Sequence, residues 1–288
     1  MRRTGACILV LACLLSLLVA APPDQTFRFV LLGDRTGEAQ PGVYERIWRQ
    51  IAAEHPAFVV SVGDTIQGLN DAAAEEEWRE IRATLQPYQP IPLYLTPGNH
   101  DVWSPLSEKL FQQYSRHALD YSFDYAQAHF TILDNSRSDL LSVEEMSFLE
   151  TDLAAHTGQP VKFIVSHRPS WLVDVAFKNT GSALHRLARK YGVRYVVAGH
   201  IHEMLHMDLD GVSYISLPSA GGHLRLSGRY EDGWFFGHTL ADVRGSVVRF
   251  EIREIDGRVT SLNDWGNVGL AKAPNSQSHG VRRRITDR

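Results

Sequence analysis

Five polar segments in this chain each follow an apolar run, and all five contain residue types that bind metals or transfer protons. Carboxylates, imidazoles and a side-chain amide together suit borderline-hard divalent ions such as Mn, Fe, Zn or Co, and an imidazole can also move a proton. A single Gly-Asp pair is usually an ordinary turn. Five such segments predict a metal site, and they are Gly33-Asp34, Gly63-Asp64, Gly98-Asn99-His100-Asp101, Ser166-His167 and Gly199-His200-Ile201-His202.

The apolar runs before these segments predict the strands that position them. The runs are rich in Val, Ile, Leu and Phe without regular polar alternation, which is typical of strands buried on both faces. Ligands of such sheets gather at the carboxyl ends of the strands, so we expect the five segments to converge at one edge. The predicted strands cover residues 27–32, 58–62, 91–95, 161–165 and 193–198.

Helical spacing and capping residues predict the intervening helices. We expect Asp71 to cap a helix over 72–85, Ser142 and Glu145 to form a capping box before 143–155, and Gly192 to end a helix over 182–191. Period-two alternation at 121–125 and 129–133 predicts a hairpin in a second, antiparallel sheet. Helices over 41–53 and 106–114 and strands over 212–217, 234–240 and 246–255 complete the prediction.

In their order along the chain and in their residue types, the five polar segments resemble the motifs of the calcineurin-like metallophosphoesterases. The resemblance spans about residues 27–220. It implies an α/β fold, a four-layer α/β/β/α sandwich of two mixed β-sheets flanked by helices. It also implies an enzyme, a metal-dependent phosphoesterase (phosphatase or phosphodiesterase) that attacks a small phosphoester with a hydroxide held between two divalent metal ions.

The resemblance further implies a role for each matching residue. Asp64 would bridge two divalent ions, drawn from Mn, Fe, Zn and Co. The first ion would also be bound by Asp34 and His202, and the second by Asn99, His167 and His200.

Four more residues near the predicted ligands are candidates for substrate chemistry. By resemblance, His100 steadies the phosphate or protonates the leaving group, and Asp101 orients the His100 imidazole. Arg35 and Arg168 flank two of the ligands, and their guanidinium groups suit phosphate binding, with a salt bridge or a solvated side chain as the structural alternative.

Thr36 departs from the family pattern, because the family has a histidine at this position. A threonine hydroxyl is a poor ligand, so the first metal site is predicted to be weak. The departure also allows an alternative function, a metal-holding binding protein of the same fold without turnover.

Composition restricts the class of partner. The chain has 288 residues, of which 44% are hydrophobic and 22% charged, which suits one large domain or at most two small ones. Its formal net charge of −4 does not provide the basic surface typical of nucleic-acid-binding proteins.

The first residues have the layout of a signal peptide, predicted over 1–21, because Arg2-Arg3 precede an apolar run at 6–21. Cys7 and Cys13 both lie in it, so the mature chain is expected to lack disulfides and a membrane span. We expect export to a periplasm or the cell exterior, with a lipoprotein at Cys13 or an uncleaved anchor as alternatives. The catalytic domain is predicted over 25–262, followed by a polar, disordered tail over 263–288.

Overall fold

A computed structural model describes residues 25–224 and 227–266, which fold into two packed six-stranded sheets with helices on their outer faces. The predicted signal peptide over 1–21 and the part of the predicted tail from residue 267 onward lie outside the described residues. Among the described residues, no helix has the length and apolar character needed to cross a bilayer.

The first sheet combines a parallel half with an antiparallel half. Strand β1 (Thr26–Leu32) pairs in parallel with β2 (Val59–Ser61), and β2 pairs in parallel with β3 (Leu93–Leu95). On its other side β1 is antiparallel to β10 (Gly237–Arg244), which continues into β11 (Val247–Glu254) and β12 (Val259–Ser261). β10 begins later and extends further than the strand predicted over 234–240, and β12 was not predicted.

The second sheet corrects the expectation of a separate antiparallel sheet. The predicted hairpin exists as β4 (Tyr121–Tyr125) and β5 (Ala128–Leu133), but β5 also pairs in parallel with β6 (Val161–Ser166). The parallel order continues through β7 (Tyr195–Ala198) to β9 (Val212–Ser216), and β8 (Leu205–Leu209) closes the edge antiparallel to β9. The helical crossovers that follow β5 and β6 return the chain in the same direction, which makes these strands parallel.

Six α-helices of the described residues connect the strands. Asn70 caps α2 by accepting a hydrogen bond from the Ala72 N–H, so the prediction of Asp71 as the cap is wrong by one residue. The capping box of Ser142 and Glu145 is confirmed. The helices are α1 (Val43–Glu54), α2 (Asp71–Leu85), α3 (Pro105–Ser115), α4 (Val143–Ala155), the unpredicted α5 (Leu172–Ala176) and α6 (Ala183–Tyr191), with 3₁₀ turns at Gln86–Tyr88, Tyr230–Asp232 and Leu262–Trp265.

Phenylalanine rings fill the space between the two sheets. Phe29 stacks on Phe58 at 5.1 Å and meets Phe130 edge-on at 5.1 Å, and Phe130 stacks on Phe163 at 4.7 Å. Such pairs add roughly 0.5–1.5 kcal/mol each beyond the area they bury. Separate apolar clusters lie between each sheet and its outer helices, which confirms the predicted four-layer α/β/β/α sandwich.

The described fold continues past the predicted domain end at residue 262. Trp265 is buried, its ring contacts Phe235 at 4.9 Å, and Gly266 forms a β-bridge with His206. A polar composition predicted a disordered tail from residue 263, but the buried Trp265 side chain and the capping box of Ser261 and Asp264 hold this turn against the core.

Candidate metal centre

The predicted metal ligands meet at one edge of the two sheets, where β1, β2, β3, β6 and β7 end. Two groups of side chains bring their ligand atoms within 4.8 Å of one another. Asp64 belongs to both groups, as expected of a residue between two ions. The first group is Asp34, Asp64 and His202, and the second is Asp64, His167 and His200.

Short contacts link the remaining predicted ligand to these groups. The Nε2 atom of His167 lies 2.9 Å from the Asn99 amide oxygen and 3.1 Å from Nδ1 of His200. In the first group, Nε2 of His202 lies 3.1 Å from a carboxylate oxygen of Asp34. The structure therefore brings all six predicted ligands together.

Main-chain carbonyls set the orientation of two of the imidazoles. Nδ1 of His167 lies 2.9 Å from the Val62 carbonyl oxygen, and Nδ1 of His202 lies 2.5 Å from the His223 carbonyl oxygen. A carbonyl oxygen only accepts, so Nδ1 of each ring carries a proton, and Nε2 is the atom that would offer its lone pair to a metal ion when the ring is neutral. Both Nε2 atoms face ligand atoms of the centre, which is the arrangement that supports metal binding by histidine.

The backbone of the centre is held in an uncommon conformation. Asp64, His200 and His202 have φ angles of 55°, 69° and 59°, in the left-handed region that costs free energy for residues with a Cβ atom. Close packing adds a further restriction, because a Cβ atom on Gly199 would lie only 2.1 Å from an oxygen of Asp34. These strained positions are maintained by the surrounding fold and cluster at the ligands.

Buried carboxylates are concentrated at the centre. Burial, together with the charge of Asp34, raises the pKa of Asp64 to about 7, and burial with the charge of Asp64 raises the pKa of Asp101 to about 7. Burial alone would raise the pKa of Asp34, but the charge and hydrogen bond of His202 outweigh it and lower that pKa.

The donor set fits divalent metal ions. One carboxylate oxygen of Asp34 is fully buried and has no hydrogen-bond partner among the described residues, which is unusual unless another group satisfies it. A cation would satisfy that oxygen and relieve the repulsion between the two aspartates. Mixed carboxylate, amide and imidazole donors match Mn, Fe, Zn or Co better than Ca or Mg.

Thr36 contributes its hydroxyl to a different contact. The side chain is fully buried, and its hydroxyl donates to the Gln67 side-chain oxygen at 2.5 Å. The same oxygen accepts the Glu38 N–H at 3.3 Å. The first group therefore has three protein ligands where the family pattern has a fourth, an imidazole.

His100 and Asp101 lie beside the ligands, but they do not form the predicted pair. Nδ1 of His100 lies 2.5 Å from the Gln67 carbonyl oxygen. The Asp101 carboxylate instead accepts the N–H groups of Thr65, Ile66 and Gly98 at 2.8, 3.1 and 3.1 Å. The prediction that Asp101 orients His100 is therefore wrong: Asp101 ties together the turns that follow β2 and β3, where Asp64 and Asn99 lie.

The two candidate arginines differ in position. One guanidinium nitrogen of Arg35 donates to the Thr65 carbonyl oxygen at 3.1 Å, and the group lies 5.7 Å above the Tyr44 ring. These contacts are structural, but they are a main-chain hydrogen bond and a cation–π contact and not the salt bridge or solvated side chain given as the alternative to phosphate binding. Arg168 lies closer to the ligands, with Nη1 3.4 Å from Nε2 of His200 and 2.6 Å from the exposed carboxylate of Asp139.

Asn135 is a residue of the centre that sequence reasoning missed. Its side-chain oxygen accepts the main-chain N–H groups of His167 and Arg168 at 3.0 and 2.9 Å, and its amide donates to the Arg168 carbonyl. It is buried and fixes the turn that presents His167. The signal was present, because Asp134-Asn135 follows β5 as the other polar segments follow their strands.

Comparison with known proteins agrees with this geometry. Residues 27–204 match the calcineurin-like phosphoesterase family. A 3',5'-cyclic adenosine monophosphate phosphodiesterase, CpdA of Escherichia coli strain K12, is 28% identical over 198 residues, which cover 66% of this chain and 69% of that protein.

Two solved structures share the fold at low sequence identity. The purple acid phosphatase PPD1 of yellow lupin (Lupinus luteus) superposes with a TM-score of 0.65 at 19% identity, over 83% of this chain and 54% of that chain, so the match spans about half of the plant enzyme. GAP50 of Plasmodium, described as the anchor in the inner membrane complex, superposes with a TM-score of 0.60 at 17% identity, over 88% and 99% of the two chains.

The predicted resemblance is confirmed, and with it the prediction of a phosphoesterase, a class that acts on small phosphoester substrates with divalent metal ions. The chain belongs to the calcineurin-like phosphoesterase family.

Proposed function

We propose that this chain is a dinuclear metal-dependent phosphodiesterase whose substrate is a small phosphodiester of the cyclic-nucleotide type. One observation carries the dinuclear part of this proposal: two groups of ligand atoms, each within 4.8 Å, share Asp64. The choice of a diester is supported by the relative named as a cyclic adenosine monophosphate phosphodiesterase.

The ligand groups suggest how two ions would be held. Asp34, Asp64 and His202 would bind one ion, and Asp64, Asn99, His167 and His200 the other. When bound, the ions supply positive charge that stabilises phosphoryl oxygens and lowers the pKa of water to near neutrality.

The chain's own side chains would complete the reaction. Because the Gln67 carbonyl engages Nδ1 of His100, Nε2 is the ring atom left to hold a phosphoryl oxygen or to protonate the leaving-group oxygen. Arg168 would bind a further phosphoryl oxygen. Its ion pair with Asp139 is solvent-exposed on the carboxylate side and weak enough to be exchanged for a substrate phosphate.

Export is a further part of the proposal. It rests on the sequence of residues 1–21, where Arg2-Arg3 precede an apolar run, and the chain would then act in a periplasm or outside the cell. A fusion of residues 1–30 to a reporter that is active only after export tests it. A reporter that remains inactive, while the same fusion with a known signal peptide is active, contradicts export.

The second candidate function is a binding protein that holds metal and phosphate without turnover. Thr36 favours it, because the first group lacks an imidazole and the threonine hydroxyl is engaged by Gln67. The same fold occurs in GAP50 of Plasmodium, which is described as an anchor.

Metal content and hydrolysis measured together distinguish the two functions. Purified chain is loaded with Mn, Fe, Zn or Co, bound metal is counted, and cleavage of cyclic adenosine monophosphate, an aryl diester and an aryl monoester is followed. Near two ions per chain, with diester cleavage that Asp64→Asn abolishes, is the expected result. Bound metal without cleavage of any ester establishes the binding protein, and cleavage of the monoester alone contradicts the diester assignment.

A further inference from the structure

Gln67 connects two parts of the metal centre that lie far apart in the sequence, the segment after β1 and His100. Its side-chain oxygen accepts the Thr36 hydroxyl at 2.5 Å and the Glu38 N–H at 3.3 Å. Its main-chain carbonyl oxygen lies 2.5 Å from Nδ1 of His100. Gln67 therefore contacts the segment that carries Asp34 through its side chain, and the His100 ring through its main chain.

The two donors fix the orientation of the Gln67 side-chain amide. A main-chain N–H only donates, so the amide oxygen, and not the NH₂ group, faces Glu38. An amide oxygen has two lone pairs and can accept both hydrogen bonds. Gln67 is an exposed residue, and an exposed glutamine without such contacts would keep its rotamer freedom. The hydrogen bonds from Thr36 and Glu38 instead hold its side chain in one conformation.

The turn that follows Gln67 also packs against the main chain of His100. Gly68 has a φ angle of 63°, and a Cβ atom on it would lie only 1.7 Å from the His100 carbonyl oxygen, so this position requires glycine. The Gly68 N–H donates to the Glu77 carboxylate at 2.6 Å, which attaches the same turn to α2. A shift of this turn would therefore displace His100.

We propose that Gln67 is a positioning residue for His100: its side chain, held by Thr36 and Glu38, fixes the carbonyl that orients the imidazole at the metal centre. The main chain of His100 is already attached there, because its N–H donates to the Asp64 carboxylate at 2.9 Å. The Gln67 carbonyl sets the remaining freedom, the rotation of the ring. The part of the ring in hydrolysis rests on the proposed function, whereas the position of the ring does not.

This arrangement gives Thr36 a role other than metal binding. Thr36 is fully buried, and its N–H donates to the Asp64 carbonyl oxygen at 3.1 Å, so its hydroxyl is presented to Gln67 from a fixed main chain. Where the family pattern has an imidazole, this chain supplies a hydrogen bond that reaches His100 through Gln67.

A double-mutant cycle on the metal-loaded full chain tests the coupling between Gln67 and His100. Gln67→Ala should lower kcat for phosphodiester hydrolysis on the order of tenfold with bound metal unchanged, because a misplaced catalytic group costs rate. In the His100→Ala background the same substitution should change hydrolysis by less than about twofold, because the group that Gln67 positions is gone. Gln112→Ala, at an exposed position of α3, is the matched control and should stay within about twofold in either background.

A second measurement follows the His100 ring without metal or hydrolysis. NMR of the metal-free chain with nitrogen-15-labelled histidine observes the proton on Nδ1, which is assigned by its loss in His100→Ala. In Gln67→Ala this proton should exchange with water about tenfold faster, as expected for a weakened hydrogen bond, and in Gln112→Ala at the wild-type rate. Thermal melts report that both variants are folded.

Three results would each overturn the proposal. They are wild-type hydrolysis in Gln67→Ala, an equal effect of Gln67→Ala with and without the His100 side chain, and equal exchange of the Nδ1 proton in Gln67→Ala and wild type. If wild type cleaves no ester, the proposed function fails, and the exchange measurement alone then decides whether Gln67 positions His100.

Discussion

Two clusters in this protein contain buried histidines and aspartates, yet they differ in how far their polar atoms are satisfied. The metal centre, formed by the six predicted ligands, has a carboxylate oxygen without a partner and two ligand groups crowded around Asp64. The second is the His129 cluster, between the β4–β5 hairpin and α4, defined as Ser122, Asp124, His129, Thr131, Asp152 and His156. It also brings Asp124, His129 and His156 within 4.8 Å.

In the His129 cluster the donors and acceptors are matched. The two ring nitrogens of His129 lie 2.7 Å from the Asp124 carboxylate and 2.8 Å from the Asp152 carboxylate. Ionised carboxylates only accept, so His129 carries both protons and is a cation. Asp152 also accepts from the hydroxyls of Ser122 and Thr131 at 2.7 and 2.6 Å.

The backbone reflects the same difference. Asp64, His200 and His202 have positive φ angles, whereas none of the residues of the His129 cluster has one. The comparison shows that ligand-type residues at short distance do not by themselves make an active site. Unsatisfied charge on a strained backbone indicates a site that requires another group, and a fully hydrogen-bonded cluster on regular elements stabilises the fold.

Asp64→Asn tests the metal centre and should have the largest effect. Loss of the shared carboxylate is expected to lower phosphodiester hydrolysis by about 10³-fold or more, because both ions lose a ligand. Without metal, the free energy of unfolding should stay the same or rise, since the variant removes a buried charge that repels Asp34. If Asp64→Asn lost much stability but kept its hydrolytic activity, the metal centre would stabilise the fold and would not serve the reaction.

Asp152→Asn is the reciprocal variant. It leaves the His129 cation facing only Asp124, so we expect a loss of about 2–4 kcal/mol in the free energy of unfolding, measured by urea titration. Hydrolysis by the folded fraction should remain within about twofold of wild type. Loss of activity without loss of stability would show that the cluster serves the reaction.

Asn135→Ala tests positioning of a ligand. Without the Asn135 side chain, the turn that presents His167 loses its hydrogen bonds to the His167 and Arg168 N–H groups and to the Arg168 carbonyl. Metal affinity or activity should then fall by about 10–100-fold, as for other residues that orient a metal ligand. Asn179→Ala, in an exposed turn, is the matched control and should alter neither property. Unchanged metal affinity in Asn135→Ala would mean that the turn is held by other contacts.

Thr36→His tests the departure from the family pattern. The added imidazole should tighten binding of one ion by about tenfold or more without altering the other, which metal titration can resolve. Thr36→Val has a similar side-chain volume and no ligand atom, so it should not tighten metal binding. Equal metal affinity in both variants would show that the first ion does not use this position.

The smallest expected effect is the pH dependence of the His129 cluster. Burial lowers the pKa of His129, but its hydrogen bonds and charge interactions with Asp152 and Asp124 outweigh burial and raise it above 6.5. The stabilisation is therefore complete below pH 6.5 and is lost as pH rises through the raised pKa, with a slope of up to about 1.4 kcal/mol per pH unit. His129→Gln should remove that slope from the urea unfolding curves, whereas His55→Gln, at an exposed helix end, should keep it. The difference in unfolding free energy between wild type and His129→Gln should fall as the pH rises. If it does not fall, His129 is not a cation in the folded protein.

Local sequence was sufficient to predict most of the framework. Continuous apolar runs locate the strands within a few residues because burial on both faces requires them, as at β1 and β6. The capping box before α4 and Gly192 after α6 mark helix ends through contacts between residues close in sequence. The six ligands could be listed because each follows a strand in a recognisable segment.

Only the tertiary structure decided which partners those residues have. His100 bonds to the Gln67 carbonyl and Asp101 to three main-chain N–H groups, although the two residues are adjacent in the chain. Asn135 reaches His167 across 32 residues, a contact that no local pattern encodes. Distant backbone groups are brought together by sheet order and packing, so hydrogen-bond partners and pKa shifts follow from the fold and not from the spacing of residues.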